Sequence, residues 1–221
     1  MIDILGSLDD KIENNNKKAE YYEQSMQQYF TLMLAEQTED WRESTLTKIA
    51  TYTNGLAMQK YRPDGAEYLP VIKIKELSQG KSDENSEKAS LFIDKRFIID
   101  NGDIIFAWSG TLMVKIWCGG KGGLNQHLFK VTSSQYHSWF IYLWTKFHLE
   151  KFQNIAKGKA VTMGHIKRED LEKALVSIPV NTTMEKYDSL IKPLFDGIVE
   201  AHKENEKLNE LKQLYLKKFF G

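Results

Sequence analysis

Both ends of this 221-residue chain carry apolar residues at alternating steps of three and four. The N-terminal series is Leu5, Leu8, Ile12, Asn15, Ala19, Tyr22, Met26, Tyr29 and Met33. That spacing keeps a narrow stripe on one face of a helix for about 30 residues, roughly 45 Å. The C-terminal series is Tyr187, Ile191, Leu194, Ile198, Ala201, Asn205, Leu208, Lys212, Tyr215 and Phe219, a helix of about 50 Å. Asn15 interrupts the first stripe and Asn205 and Lys212 the second, and an Asn in a heptad seam fixes register or partner number at some cost in stability. A narrow stripe with polar flanks points to a coiled coil; the plainer alternative is a surface helix packed on its own domain. Two such helices pair either with each other or with another chain. The expected organisation is a long helix over 1–36, a domain over 37–180 and a second long helix over 181–221. This is an α+β fold, one mixed α/β domain flanked by two coiled-coil-forming helices.

The centre of the domain is Asp103–Val131, where IIFAW and LMVKIW are joined at Ser109-Gly110-Thr111. Both runs have strand length, and the small residues between them suit a hairpin turn. A glycine-dense segment, Gly119 to Gly123 around Lys121, follows where backbone can approach a partner closely. Earlier, Pro70–Lys75 alternates as a strand, with Ile72 and Ile74 on one face and Val71, Lys73 and Lys75 on the other. Asn54-Gly55 reads as a turn. Leu77–Ser90 reads as a polar loop and Leu91–Asp100 as a further strand candidate. Tyr136–Phe152 reads as a helix whose aromatics are too many for one face, so most belong to the core. Trp108 and Trp117 are read as core residues rather than stacking platforms.

Net charge is zero, but its distribution is not uniform. Residues 1–40 are net −6, residues 41–180 net +6, and residues 181–221 neutral. From Ile104 to Arg168 nine Lys/Arg (115, 121, 130, 146, 151, 157, 159, 167, 168) face one acid, Glu150. An acid-poor stretch of that kind points towards a polyanion. The single cysteine, Cys118, excludes an internal disulfide and fits a reducing compartment. No signal peptide and no membrane-length apolar run is found, so the expected location is the cytoplasm.

Catalytic patterns fail one by one. Three Gly-Lys pairs lack the glycine five residues upstream that a phosphate loop needs. The four prolines are never adjacent, which excludes an Asn/Asp-Pro-Pro-aromatic methyltransferase tetrad. Pro63-Asp64 opens a nuclease pattern, but Lys73-Ile74-Lys75 lacks its second acid. Scattered histidines and one cysteine build no structural zinc site. A Ser109/His127/Asp103 hydrolase lacks any nucleophile-elbow pattern. The chain reads as a binder with no catalytic residues and no metal ligands.

Three segments carry a family resemblance: LGSLDDKIENNNK at Leu5–Lys17, NGDIIFAWSG with GGKGGLNQHLFKV across Asn101–Val131, and TMGHIKREDLEKALVSIP at Thr162–Pro179. In order and content they resemble the specificity subunit of type I restriction–modification systems. The resemblance implies a non-catalytic chain whose target-recognition domain reads double-stranded DNA and whose long helices dock methyltransferase subunits. It implies no cofactor in this chain: S-adenosylmethionine, ATP and magnesium belong to the methyltransferase and restriction/translocase partners. Full members have two recognition domains and two long helices, so this chain resembles a half subunit. A homodimer restores the full arrangement; pairing with a different half is the alternative. Rival readings are a free-standing DNA-binding regulator, a coiled-coil scaffold and an inactive fragment.

Phosphate contacts position a reader and base contacts specify. The first candidates for phosphate are Lys115, Lys121, Lys157 and Lys159, on glycine-rich or turn segments of the acid-poor stretch. Lys73, Lys75, Lys81 and Arg62 follow. For base edges the candidates are Gln59, Arg62, Ser78, Gln79 and Ser109, of which Gln and Arg offer bidentate geometry. Asn125-Gln126-His127 belongs to the shared family pattern and is read as structural. Helix pairing is assigned to Leu8, Ile12, Asn15, Ala19, Tyr22 and Met26 on one helix. On the other it falls to Ile191, Leu194, Ile198, Asn205, Leu208 and Tyr215.

Overall fold

The structure, a computed structural model, describes residues 2–158 and 164–220. It opens with α1 (Ile2–Ala35) and closes with α7 (Asn181–Phe220). Between them lie β1 (Arg42–Thr45), α2 (Leu46–Ile49), β2 (Thr51–Asn54), β3 (Leu69–Ile72), α3 (Ile74–Gln79) and β4 (Lys88–Ala89). The chain continues through β5 (Ile98–Ile99), β6 (Ile104–Ala107), β7 (Met113–Ile116), β8 (Gly122–Leu124) and β9 (Leu128–Thr132). Then come α4 (Ser138–Phe147), α5 (Leu149–Gly158), α6 (Arg168–Glu172) and β10 (Leu175–Ile178).

The two long helices pair with each other, and they run antiparallel. Asp9 meets Lys212, Asn15 meets Asn205 and Glu36 meets Lys186, so partner numbers sum to about 220. The seam residues are buried or half-buried from Leu5 to Met33 and from Tyr187 to Tyr215, as a heptad stripe requires. Asn15 Nδ2 donates to Asn205 Oδ1 at 2.9 Å and to Glu204 Oε2 at 2.8 Å. Asn205 Nδ2 in turn donates to Asn16 Oδ1 at 2.8 Å. A one-turn slip would bury these amides without partners, so the network pins the register. Gly197 completes the seam: a Cβ there would lie 2.5 Å from the Tyr22 ring.

The first sheet has the order β2-β9-β6-β7 and is antiparallel throughout. The expected hairpin is its β6–β7 pair, with Ile104 opposite Ile116 and Gly110 at φ +64° in the turn. The second sheet, β4-β3-β8-β5, is mixed, with β3 and β8 parallel. Helix α4 lies between the first sheet and the helix pair, so every residue from Trp139 to Thr145 is buried. Phe106 and Phe152 stack at 5.9 Å, Phe30 of α1 meets Trp144 edge-on at 5.2 Å, and Trp139 Nε1 donates to Asp188 of α7 at 2.7 Å. Each such buried aromatic contributes about 1.5–3 kcal/mol. One continuous core therefore runs from the sheet into both helices, which are a built-in wall of the domain.

Four readings of the sequence are corrected. The strand over Pro70–Lys75 stops at Ile72, where Val71 and Ile72 are both buried. Lys73 starts α3 instead, because the Glu76 carboxylate accepts the Lys73 N–H at 3.1 Å and caps the turn. The loop over Leu77–Ser90 holds the end of α3 and β4, and of Leu91–Asp100 only Ile98–Ile99 is strand. The helix over Tyr136–Phe152 is broken at His148 into α4 and α5. The β1–β10 ribbon, Arg42 opposite Ile178, was not foreseen.

Burial holds His148 and His202 below the usual imidazole range, against an opposing hydrogen bond to the Leu175 carbonyl and the nearby Glu23 charge respectively. A group with a lowered folded value takes up its proton more readily in the unfolded chain. Stability is therefore expected to fall as pH drops from about 7 towards 5. Urea-unfolding midpoints across that range check this, and a flat profile would contradict it.

Candidate nucleic-acid interface

The glycine-dense segment approaches its own chain, not an open surface. Gly119 faces Trp117 and the Gly80 carbonyl, where a Cβ would sit 2.5 and 2.8 Å away. Gly122 faces Ile72 at 2.4 Å in the same sense, and Gly123 faces Met58 at 3.1 Å. Trp117 is buried and its Nε1 donates to the Gly120 carbonyl at 2.6 Å. These contacts leave Lys121 exposed on a turn fixed from below. The adjacency of Gly119 and Gly80 places Lys81, also exposed, on the neighbouring turn.

The remaining candidates divide by what already occupies them. Lys73 pairs with Glu87, and Lys75 with Asp83 at 3.5 Å. Lys115 Nζ donates to the Ser78 carbonyl at 2.9 Å, so these two sit together beside exposed Gln79. Gln79 and Lys115 line a polar crevice of about 460 Å³ with Glu23, Tyr142, Lys146 and His202, where the sheet edge meets both long helices. Within it Glu23 accepts from Lys146 and Tyr142. Burial pushes that carboxyl up, but the two hydrogen bonds outweigh it and hold it below the usual range. Gln59 and Arg62 are exposed on the segment after β2, above Met58, which packs under Gly123. Lys157 is exposed at the end of α5 beside the β6–β7 turn, at the far end of that hairpin from Lys121. Lys159 lies outside the described residues.

Ser109 is buried, with its hydroxyl 3.0 Å from His127 Nδ1. Asp103 sits at the other end of β6, paired with Lys130 at 2.7 Å, so Ser109, His127 and Asp103 do not meet. Asn125 is buried and its Oδ1 accepts the His127 N–H at 3.2 Å, a local structural bond. Trp108 stacks on Phe129 at 5.6 Å and donates to Asn54, an indole used for packing. No group of three or more His, Cys, Asp or Glu side chains that could hold a metal ion occurs among the described residues. No described helix is long and apolar enough to cross a membrane. The cations left exposed without a carboxylate partner among the described residues include Arg62, Lys81, Lys121 and Lys157.

Residues 38–213 match the family model of the type I restriction modification DNA specificity domain. The chain belongs to this family. It is 27% identical over 162 residues to the type I restriction enzyme MjaIX specificity subunit of Methanocaldococcus jannaschii, covering 69% of this chain and 37% of that protein. It is 23% identical over 186 residues to the MjaVIII specificity subunit of the same organism, covering 82% of this chain and 42% of that one. The crystal structure of a type I restriction–modification S subunit from M. genitalium superposes at a TM-score of 0.61 with 13% identity, over 98% of this chain and 59% of that chain. The specificity-domain chain thus spans about two-fifths of these curated relatives. The likeness to the solved subunit is one of fold.

Proposed function

We propose that this chain is the non-catalytic DNA-recognition subunit of a type I restriction–modification complex. Its domain reads a double-stranded site, and its helix pair docks methyltransferase subunits that use S-adenosylmethionine to methylate adenine. A restriction/translocase subunit, with ATP and magnesium, joins through the same complex in the cytoplasm. The observation that carries the reading is the family match over most of the chain, from residue 38 to 213. The exposed unpaired cations of the domain support it, since duplex binding is dominated by phosphate neutralisation. Selection of the chain, complexed with a methyltransferase subunit, against a random duplex pool tests it. Enrichment of one motif is expected, and an unenriched pool would contradict it.

The chain acts as a half subunit in a homodimer. At the free end of the helix pair Leu211 and Leu214 are 40% and 66% exposed, and Ile4 and Phe219 are also open to solvent. Leu211 and Leu214 lie on α7 outside the seam residues Leu208, Lys212 and Tyr215 that pair it with α1. Helix α7 extends about 20 Å past Glu206, which lies against Gly120. Two chains meeting there hold their domains roughly one DNA turn, about 34 Å, apart. The expected result is a dimer in sedimentation equilibrium that becomes monomeric in Leu211→Lys/Leu214→Lys with unchanged helix content. A monomeric wild-type chain would favour pairing with a different half.

A further inference from the structure

Phe92 is 92% exposed, while Ala89 before it and Ile93 after it are buried. The turn that carries it is fixed. The Ser90 N–H donates to the Tyr61 carbonyl at 2.8 Å, and the Phe92 N–H donates to Ser90 Oγ at 3.2 Å. Asp94 closes the turn by accepting the Arg96 N–H at 2.9 Å. Leu91, the preceding residue, and Tyr61, whose carbonyl holds the turn, are 38% and 40% exposed. An aromatic ring held in water between two core anchors contributes nothing to the fold that a polar residue would not. Its placement fits a contact made on binding.

The surroundings identify the partner as a polyanion. Lys60 and Arg62 flank Tyr61, Lys95 and Arg96 follow the turn, and Lys88 lies over the Tyr68 ring at 4.2 Å. Against these five cations the same segments, 59–68 and 88–97, hold three acids, Asp64, Glu67 and Asp94. Arg96 already pairs with Asp94 at 3.1 Å. An apolar tip in a cationic rim is the pattern by which a side chain enters a groove and packs between base steps while the rim holds phosphates.

We propose that Phe92 is a groove wedge: its ring enters the duplex beside the recognised bases, and Lys60, Arg62 and Lys95 hold the flanking backbone. This rests on the DNA-recognition reading and names the residue that bends or unstacks the site. Because the ring carries no charge, its removal releases no counterion, which separates it from every phosphate contact.

The test uses the chain complexed with a methyltransferase subunit and a duplex carrying the selected motif, with 2-aminopurine placed in turn at each step. Phe92→Ala is expected to weaken binding on the order of tenfold or more with an unchanged salt slope. It should also abolish a fluorescence rise that wild type produces at one step. Phe92→Trp should retain both. Wild-type affinity and fluorescence in Phe92→Ala would overturn the proposal. So would unchanged DNA affinity with loss of the methyltransferase subunit, which would assign the ring to a protein contact. A wild-type complex with no affinity for any duplex at low salt would instead overturn DNA recognition itself. Far-UV circular dichroism of each variant confirms that the exposed substitution leaves the fold intact.

Discussion

Replacing Arg62, Lys81, Lys121 and Lys157 together with alanine is expected to weaken duplex binding by roughly a thousandfold at about 0.15 M salt. Each lost phosphate contact lowers the slope of log affinity against log salt by about 0.9, so four of them account for a factor of that size. These four are exposed and free of carboxylate partners among the described residues, so their removal leaves no buried charge behind. Preference for the cognate motif over other sequences should survive, because phosphate contacts carry no base information. The matching change at Lys73 and Lys75 should do less, since Glu87 and Asp83 already engage those ammonium groups. Salt-dependent fluorescence anisotropy with cognate and scrambled duplexes makes the measurement. An unchanged slope in the fourfold variant would place the DNA on another face.

Gly55→Ala is expected to destabilise the domain by roughly 4 kcal/mol or more, at the upper end of what single substitutions do. The added Cβ would lie 2.2 Å from the Asn125 carbonyl oxygen and 2.3 Å from that of Leu124. Both obstacles are backbone, held by hydrogen bonds of Gly55 to Leu128 and of Leu56 to Leu124 at 3.0 and 2.9 Å. No side chain can rotate away, so the strands themselves must part. A fall in melting temperature on the order of 10 °C follows for a chain of this size. The same change at Gly6, inside α1 with nothing within 4 Å of the new methyl, should stabilise by about 0.5–1 kcal/mol. A Gly55→Ala melting curve matching wild type would mean that the two sheets are not joined there as described.

The contrast between these two glycines shows where the sequence was legible. Periodicity found both long helices and their seams, because a buried stripe must repeat along a helix whatever it faces. It did not say that the helices face each other. That followed from Asn15 and Asn205 meeting in register and from Gly197 making room for Tyr22. The β6–β7 hairpin was legible because its pairing is local. The β1–β10 ribbon was not, since Arg-Glu-Ser-Thr carries no strand pattern and its partner, as in the Thr45–Leu175 and Arg42–Ile178 pairs, is distant in the chain. Asn54-Gly55 carries a turn signal, yet the glycine serves a close approach of backbone between sheets. The glycines from 119 to 123 read as a place where backbone can approach a partner closely, and the close approaches of Gly119, Gly122 and Gly123 are to residues of the same chain.

The candidate interface was legible in composition more than in position. The acid-poor stretch from Ile104 to Arg168 gave Lys121 and Lys157, which are exposed and unpaired among the described residues. It also gave Lys115, which bonds the Ser78 carbonyl at the crevice beside the long helices. Ser109 is among the base-edge candidates of the sequence, and its side chain is turned inward to His127. Phe92 escaped notice because its segment resembles a strand, in which an aromatic needs no explanation. Only its exposure, on a turn anchored by buried Ala89 and Ile93, sets it apart.

The most direct measurement is base-resolution mapping of adenine methylation in cells expressing this chain with its cognate methyltransferase subunit, beside a control lacking only this chain. A new interrupted motif present only with the chain is the predicted result, and two identical half-sites would match a homodimer of half subunits. Identical methylation in both cells, with both proteins stably expressed, would contradict DNA recognition by this chain.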